Sequence, residues 1–220
     1  MALQAAWTQL SGEFDSLSKH ILDFAAVKGI HTSPPRFSVL DECLLEGLLS
    51  RVWQAWCKFC RSCVIESCVG TVNGAGVAIA ALPDAASEAH VSGAAIRAKT
   101  KPNPPYWGVQ NTVLRAEPTW GDVDVLVKVL TRLRPVNFSP LLAAFSSGHP
   151  SAKALQLIRN GAAHNNAQNL YDIQALRSAY IVFPIVHPTH AMFWIEPTSS
   201  DFLVTHAMQE LKDTGLAAIM

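Results

Sequence analysis

The 220-residue chain is half hydrophobic, only 15% charged, and balanced at 17 basic against 17 acidic residues. An average globular protein is roughly 25% charged, so the composition is that of a packed globule and excludes a disordered or polyelectrolyte segment. Zero net charge gives no global basic field for nucleic acid, and any RNA contact must come from a local patch. Low surface charge also points to apolar surface covered by a partner or a second copy. The longest apolar run, Val77 to Leu82, is far too short to span a bilayer. Trp7 to Glu13 is polar where a signal peptide needs an apolar run, so the sequence predicts a cytoplasmic protein. Five cysteines, an odd number, fit reduced thiols rather than a disulfide framework.

Residues 3 to 28 carry Leu10, Phe14, Leu17, Ile21, Leu22 and Phe24 at mostly three- and four-residue steps, an amphipathic helix pattern. Thr32 to Pro35 breaks it, and Ser38 with Asp41 can cap a second helix reaching about Cys68. That helix is nearly all apolar and should be central. Glycines interrupt the pattern from Gly70 to Gly76. An alanine-rich stretch, Ala80 to Ala98, is expected to resume it with Pro83 in its first turn. Lys101 to Pro105 ends any helix, and Tyr106 to Trp120 reads as irregular, making 70–120 an elaboration between core helices of one domain spanning 1–220. Asp122 to Leu133 and Phe138 to Phe145 read as helices, and Ser151 is expected to cap the next. A related helix follows through Leu170, Ile173, Leu176 and Tyr180. Ala191 to Glu196 reads as a short extended piece, and a terminal helix runs from Ser200 or Asp201 through Leu211. The fold class is all-α.

The stretch that speaks of chemistry is Arg159-Asn160-Gly-Ala-Ala-His164. A permanent cation beside a group that exchanges protons near neutral pH is what phosphodiester cleavage requires. At 100° per residue Asn160 and His164 share a helix face, whereas Arg159 is rotated from His164 by about 140°. One straight helix therefore does not converge both on one phosphate, while two facing copies of it could. Gly161, Ala162 and Ala163 are small enough for close backbone approach to a partner or ligand, or for plain helix packing.

Arg159-Asn160-x-x-x-His164, near the start of a late helix of an all-helical domain, resembles the R-x4-6-H motif of the HEPN superfamily, in which a polar residue commonly follows the arginine. The likeness in helical layout covers about 38–180, and the close sequence likeness only about 155–171. It implies a bundle of four or five core helices, here with 70–120 inserted, that dimerises so that two motifs form a composite groove. Active members are metal-independent endoribonucleases that leave a 2′,3′-cyclic phosphate and a 5′-hydroxyl. The roles implied are proton transfer for His164, phosphate binding for Arg159 and orientation for Asn160, with RNA as substrate and no cofactor. A toxin or anti-phage component, with an antitoxin or defence-system partner, is the implied setting. Some members carry a tyrosine two residues after the histidine for modification by a partner nucleotidyltransferase. Asn166 stands there, Tyr171 is no clean substitute, and that pairing is not implied. Many members bind without cutting, so a catalytically silent RNA- or protein-binding module is the alternative.

Three other groups compete for attention. Cys57, Cys60, Cys63 and Cys68 have spacings like the opening of an iron–sulfur run. They lie inside an apolar helix, where Cys57 and Cys63 would be roughly 9 Å apart along the axis, too far to wrap one cluster. Buried cysteine as a small apolar residue is the expected role. His187-x2-His190 could supply two metal ligands, but no third of similar quality stands nearby and Pro188 suggests a loop, so no metal site is assigned. Arg97, Lys99, Lys101, Tyr106 and Trp107, with Asn165 beside the motif, are candidate RNA contacts through phosphate and stacking.

Overall fold

In a computed structural model, residues 2–30, 36–103, 106–108, 114–164 and 166–220 are described. Eight α-helices dominate them: α1 (Ala2–Lys28), α2 (Val39–Val69), α3 (Glu88–Ala98), α4 (Val123–Leu133), α5 (Phe138–Ser147), α6 (His149–Ala163), α7 (Ala167–Gln174) and α8 (Leu203–Ile219). Among the described residues the strands are β1 (Thr71–Val72) and β2 (Ala78–Ile79), paired as an antiparallel hairpin, and the protein is all-α. No helix among them is long and apolar enough to cross a membrane. Backbone contacts divide the chain into two compact units, one of residues 1–11, 56–149 and 212–220, the other of residues 12–55 and 150–211.

In the first unit the second half of α2 supplies Trp56, Phe59, Cys60, Cys63, Val64 and Cys68 to the core, all buried. The Trp56 indole N–H donates to the Gly121 carbonyl at 3.2 Å, so the largest core ring also has its polar atom satisfied. α4 buries Val123, Leu126, Val129, Leu130 and Leu133 along one stripe at three- and four-residue steps. Asp122 caps it by accepting from the Asp124 and Val125 N–H groups, and Arg134, left-handed at φ 51°, closes it just before Pro135. α5 contributes Leu141 and Phe145, and α3, which packs on α4, buries Val91, Ala94, Ala95 and Ala98.

The stretch expected as an elaboration over 70–120 thus places one helix in this core. That helix begins at Glu88, eight residues later than the expected Ala80. The hairpin and a backbone bond from Leu82 N–H to the Cys68 carbonyl, 2.8 Å, commit residues 78–82 to other partners. The chain re-enters from α2 through Gly70 at φ +92°, where a Cβ would lie 3.0 Å from the Ala81 nitrogen.

The unit is tied by one polar network. Arg61 donates to both carboxylate oxygens of Glu117, at 2.7 and 2.9 Å, and to Glu88 at 2.8 Å. Trp120 and Ser92 also donate to Glu117. Burial pushes the Glu117 carboxyl up, but the Arg61, Ser92 and Trp120 hydrogen bonds outweigh it and hold the group below its ordinary value.

The second unit is built on α1 from Gly12 onward, the first half of α2, α6, α7 and α8 as far as Leu211. Its buried residues include Phe14 and Ile21 of α1, Leu45 and Leu49 of α2, Leu155 and Ile158 of α6, and Leu203, Ala207 and Leu211 of α8. The expected cap of α2 is a reciprocal box: Asp41 N–H donates to Ser38 Oγ at 3.3 Å, and Ser38 N–H donates to the Asp41 carboxylate at 2.8 Å. Lys28 adds an ion pair at 2.7 Å, and its hydrogen bond, with that of the Ser38 backbone, holds Asp41 down at about 2. The first half of the strand expected over 191–196 belongs to a 3₁₀ helix, Pro188–Phe193, in which Pro188 occupies the first turn. Only Ile195 keeps extended pairing, with Ile181 and Phe202. The helix expected through Tyr180 stops as α7 at Gln174 and tightens to a 3₁₀ turn over Ala175–Ala179. The terminal helix α8 starts at Leu203 and continues past Leu211 to Ile219.

Candidate functional site

The motif lies in the second unit. α6 begins at His149, so Ser151 is inside the helix rather than its cap, buried and donating to Glu210. Ala152, Leu155 and Ile158 turn one face of α6 into the core, which fixes where the adjacent Arg159 and Asn160 emerge, each half-buried. The motif is expected near the start of a helix; instead it spans the end of α6 and the turn beyond it. The reason is local: Asn166 caps α7 by accepting from Asn169 N–H at 3.0 Å, so the chain must leave α6 just before it.

His164 is held by the α6 ladder, its N–H donating to the Asn160 carbonyl at 3.0 Å. Its own carbonyl accepts from the Asn166 and Asn169 side-chain amides, at 2.9 and 2.6 Å. The main chain at His164 is therefore pinned from both sides. Its imidazole is exposed and, among the described residues, has no hydrogen-bonding partner. Asn165 lies outside the described residues.

Arg159 Nη1 donates to Asn160 Oδ1 at 3.1 Å, so the amide orients the guanidinium rather than the imidazole. Among the described residues no carboxylate pairs with Arg159, and no hydrogen bond joins it to His164. Arg159 lines an open cavity of about 150 Å³ with Glu46, Leu49 and Ser50 of α2 and Ala162 and Ala163 of α6. The three small residues of the motif divide in role. Ala162 and Ala163 border the cavity, while Gly161 is buried, and a Cβ there would sit 2.8 Å from Ile173 Cδ1 and 3.1 Å from Pro188 Cβ. Gly161 thus serves packing within the chain, not approach to a partner.

His187 and His190 do have a third donor. His190 Nε2 lies 3.2 Å from Glu42 Oε1, and His187 Nε2 lies 3.3 Å from Glu46 Oε1. One donor atom each from Glu42, His187 and His190 falls within 4.8 Å of the others. Burial pushes His190 below its ordinary value, opposed by its bond to Glu42. The glutamates escaped the sequence reading because they are some 145 residues away in the chain. Their one signal is the four-residue step from Glu42 to Glu46, which puts both on one helix face.

The other candidate RNA contacts belong to the first unit. Arg97 stacks its guanidinium over the Tyr106 ring at 5.7 Å, and both are exposed. Tyr106 and Trp107 line an open hollow of about 550 Å³ with Pro83, Asp84, Ala86, His90 and Gly108. Lys101 is exposed, but Lys99 is turned inward, donating to the Ala116 carbonyl at 2.6 Å, and is withdrawn from the patch. Cys57, Cys60, Cys63 and Cys68 all lie within continuous α2, the last three buried. Burial raises the thiols of Cys60, Cys63 and Cys68, the last to about 12, which keeps them protonated and opposes metal ligation.

No protein-family model, curated protein or solved structure matches this chain.

Proposed function

We propose that the protein is an RNA-cleaving enzyme of the HEPN kind, working without a catalytic metal at a site built from Arg159, Asn160 and His164 of two copies. The observation that carries this reading is the state of the two ionisable groups. An oriented guanidinium with no carboxylate partner lines an open cavity, and a few residues on an exposed imidazole has no partner of its own. Buried polar groups are normally satisfied within the fold, and the guanidinium of half-buried Arg159 has the Asn160 amide and, among the described residues, no carboxylate.

The chemistry follows from the residue types. An imidazole takes the proton of the ribose 2′-hydroxyl, O2′ bonds to the adjacent phosphorus, and the bond from phosphorus to O5′ breaks. The leaving O5′ takes a proton from the imidazolium, which returns to its neutral state, giving a 2′,3′-cyclic phosphate and a 5′-hydroxyl. Arg159 meets the charge that grows on the phosphoryl oxygens. The lack of an Arg159–His164 contact within one chain suits a composite site, in which the arginine of one copy works with the histidine of the other. A setting in toxicity or phage defence, with an antitoxin or similar partner, belongs to the same proposal.

The test is cleavage of RNA with no added divalent ion, with mapping of the new ends. His164→Ala is expected to lower the rate by about 10²–10⁴-fold, the usual worth of proton-transfer assistance. Mixing His164→Ala with Arg159→Ala subunits should restore part of the activity, since one composite site in each mixed dimer is intact. Cleavage that survives His164→Ala, or needs an added divalent ion, overturns the mechanism, and RNA bound but never cut assigns a binding module instead.

A further inference from the structure

Glu42, Glu46, His187 and His190 form a constellation that the cleavage reading does not use. We propose that Glu42, His187 and His190 bind one divalent transition-metal ion, zinc in its ligand preferences. The inference stands apart from the cleavage reading and is tested without it.

The donor set is two imidazoles and a carboxylate, which suits zinc and its first-row neighbours and not magnesium or calcium, whose ligands are all oxygen. The spacing fits as well. With zinc bonds of about 2.0–2.2 Å, two donors on a tetrahedral ion lie roughly 3.3–3.6 Å apart. His190 Nε2 and Glu42 Oε1 are already 3.2 Å apart. The three donors lie within 4.8 Å of one another, so closing the set takes a shift of about 1 Å. Glu46, whose carboxylate is 3.3 Å from His187 Nε2, lies outside the three-donor group and would give up that contact when Nε2 turns to the ion.

The surroundings are those of a supported ligand set. His187 Nδ1 is 2.8 Å from Thr189 Oγ1, and Thr189 is wholly buried. Nδ1 also accepts from the Thr189 backbone N–H at 3.4 Å; with Nε2 on a metal, Nδ1 would take the proton, give up that longer bond and donate to Thr189 Oγ1, fixing the ring. Phe37 packs against the His190 ring at 4.8 Å between centroids, with Phe24 and Phe193 around Phe37, an apolar wall that limits water. Two separate histidine–glutamate hydrogen bonds would be satisfied with the pairs apart. One donor atom from each of Glu42, His187 and His190 within 4.8 Å of the others is the arrangement a metal uses.

The ion would fasten the 3₁₀ helix Pro188–Phe193 to α2. Pro188 is one of the two residues against which Gly161 packs, so the site sits behind the segment that carries Arg159 and His164.

The experiment titrates chelator-treated full-length protein with Zn2+ by calorimetry, with elemental analysis after desalting. Wild type should retain one equivalent per chain. So should His206→Ala, which removes a histidine paired elsewhere, with Glu210 at 3.4 Å. His190→Ala should lose retention, and Glu42→Gln, nearly the same shape, guards against a folding failure and should lose it too. Thr189→Val should weaken binding by roughly 10–100-fold. A Co2+-loaded sample should show visible bands that vanish in His187→Ala. Wild type that retains no zinc, or His190→Ala and Glu42→Gln proteins that bind as wild type does, would overturn the proposal and leave a hydrogen-bonded clamp.

Discussion

Two arginines set the two halves of this molecule apart. Arg61, in the first unit, donates to Glu117 twice and to Glu88 once, and Glu117 also accepts from Ser92 and Trp120. Arg159, in the second, has an amide for company and an open cavity in front of it. The first is a finished network, and finished networks hold folds together. The second is an unfinished one: Glu46 shares the cavity but makes no ion pair with Arg159, and an arginine held in place with no bonded carboxylate is where an anionic ligand finds its partner.

The largest effect on stability is expected at Glu117, whose side chain is 8% exposed. Glu117→Ala leaves Arg61 with no partner on that side and should cost about 3 kcal/mol, the lower end for a buried pair because Arg61 is partly exposed. Chemical denaturation measures it, and a loss under 1 kcal/mol would mean that the network is incidental. The same carboxylates set the acid limb. Glu117 and Asp41 both have folded-state values below their ordinary ones. Their stabilisation is complete above the unfolded values near pH 4 and is lost as pH falls through the folded values, for Asp41 between 3.8 and about 2. Asp41→Asn should flatten the stability curve in that window, and an unchanged curve would contradict it.

Gly161→Ala comes next. Overpacking against Ile173 and Pro188 costs about 1–3 kcal/mol. Alanine's helix preference returns up to about 1. A net loss near 1 kcal/mol should appear in the melt, and a gain would show that the contact yields freely. The smallest effect is expected at His164. His164→Ala should change stability by less than about 0.5 kcal/mol, as surface substitutions do, while removing cleavage. Destabilisation beyond 2 kcal/mol would place His164 with Arg61, among the groups that hold the fold.

The long helices were legible because their cause is local. The three- and four-residue rhythm of α4 and the Ser38–Asp41 box act over a few residues, and both stand where the sequence puts them. Alanine richness over 80–98 misled because the first part of that stretch has distant partners, the hairpin and the Cys68 carbonyl, which local preference cannot register. The sites divide in the same way. Arg159, Asn160 and His164 are one short word and could be read. The turn that lifts His164 off the helix depends on Asn166 as a cap, which lies beyond the motif. The glutamates opposite His187 and His190 belong to another helix, and only packing brings them together.

The pinning of His164 by its carbonyl has an entropic consequence. With Asn166 and Asn169 holding the main chain, what stays free is rotation about two side-chain bonds. Engaging RNA would then freeze one ring and no loop, an ordering cost of roughly 0.5–1.5 kcal/mol. A histidine on a wandering segment would first have to bring its backbone to rest, and binding would be weaker by that amount for the same contacts.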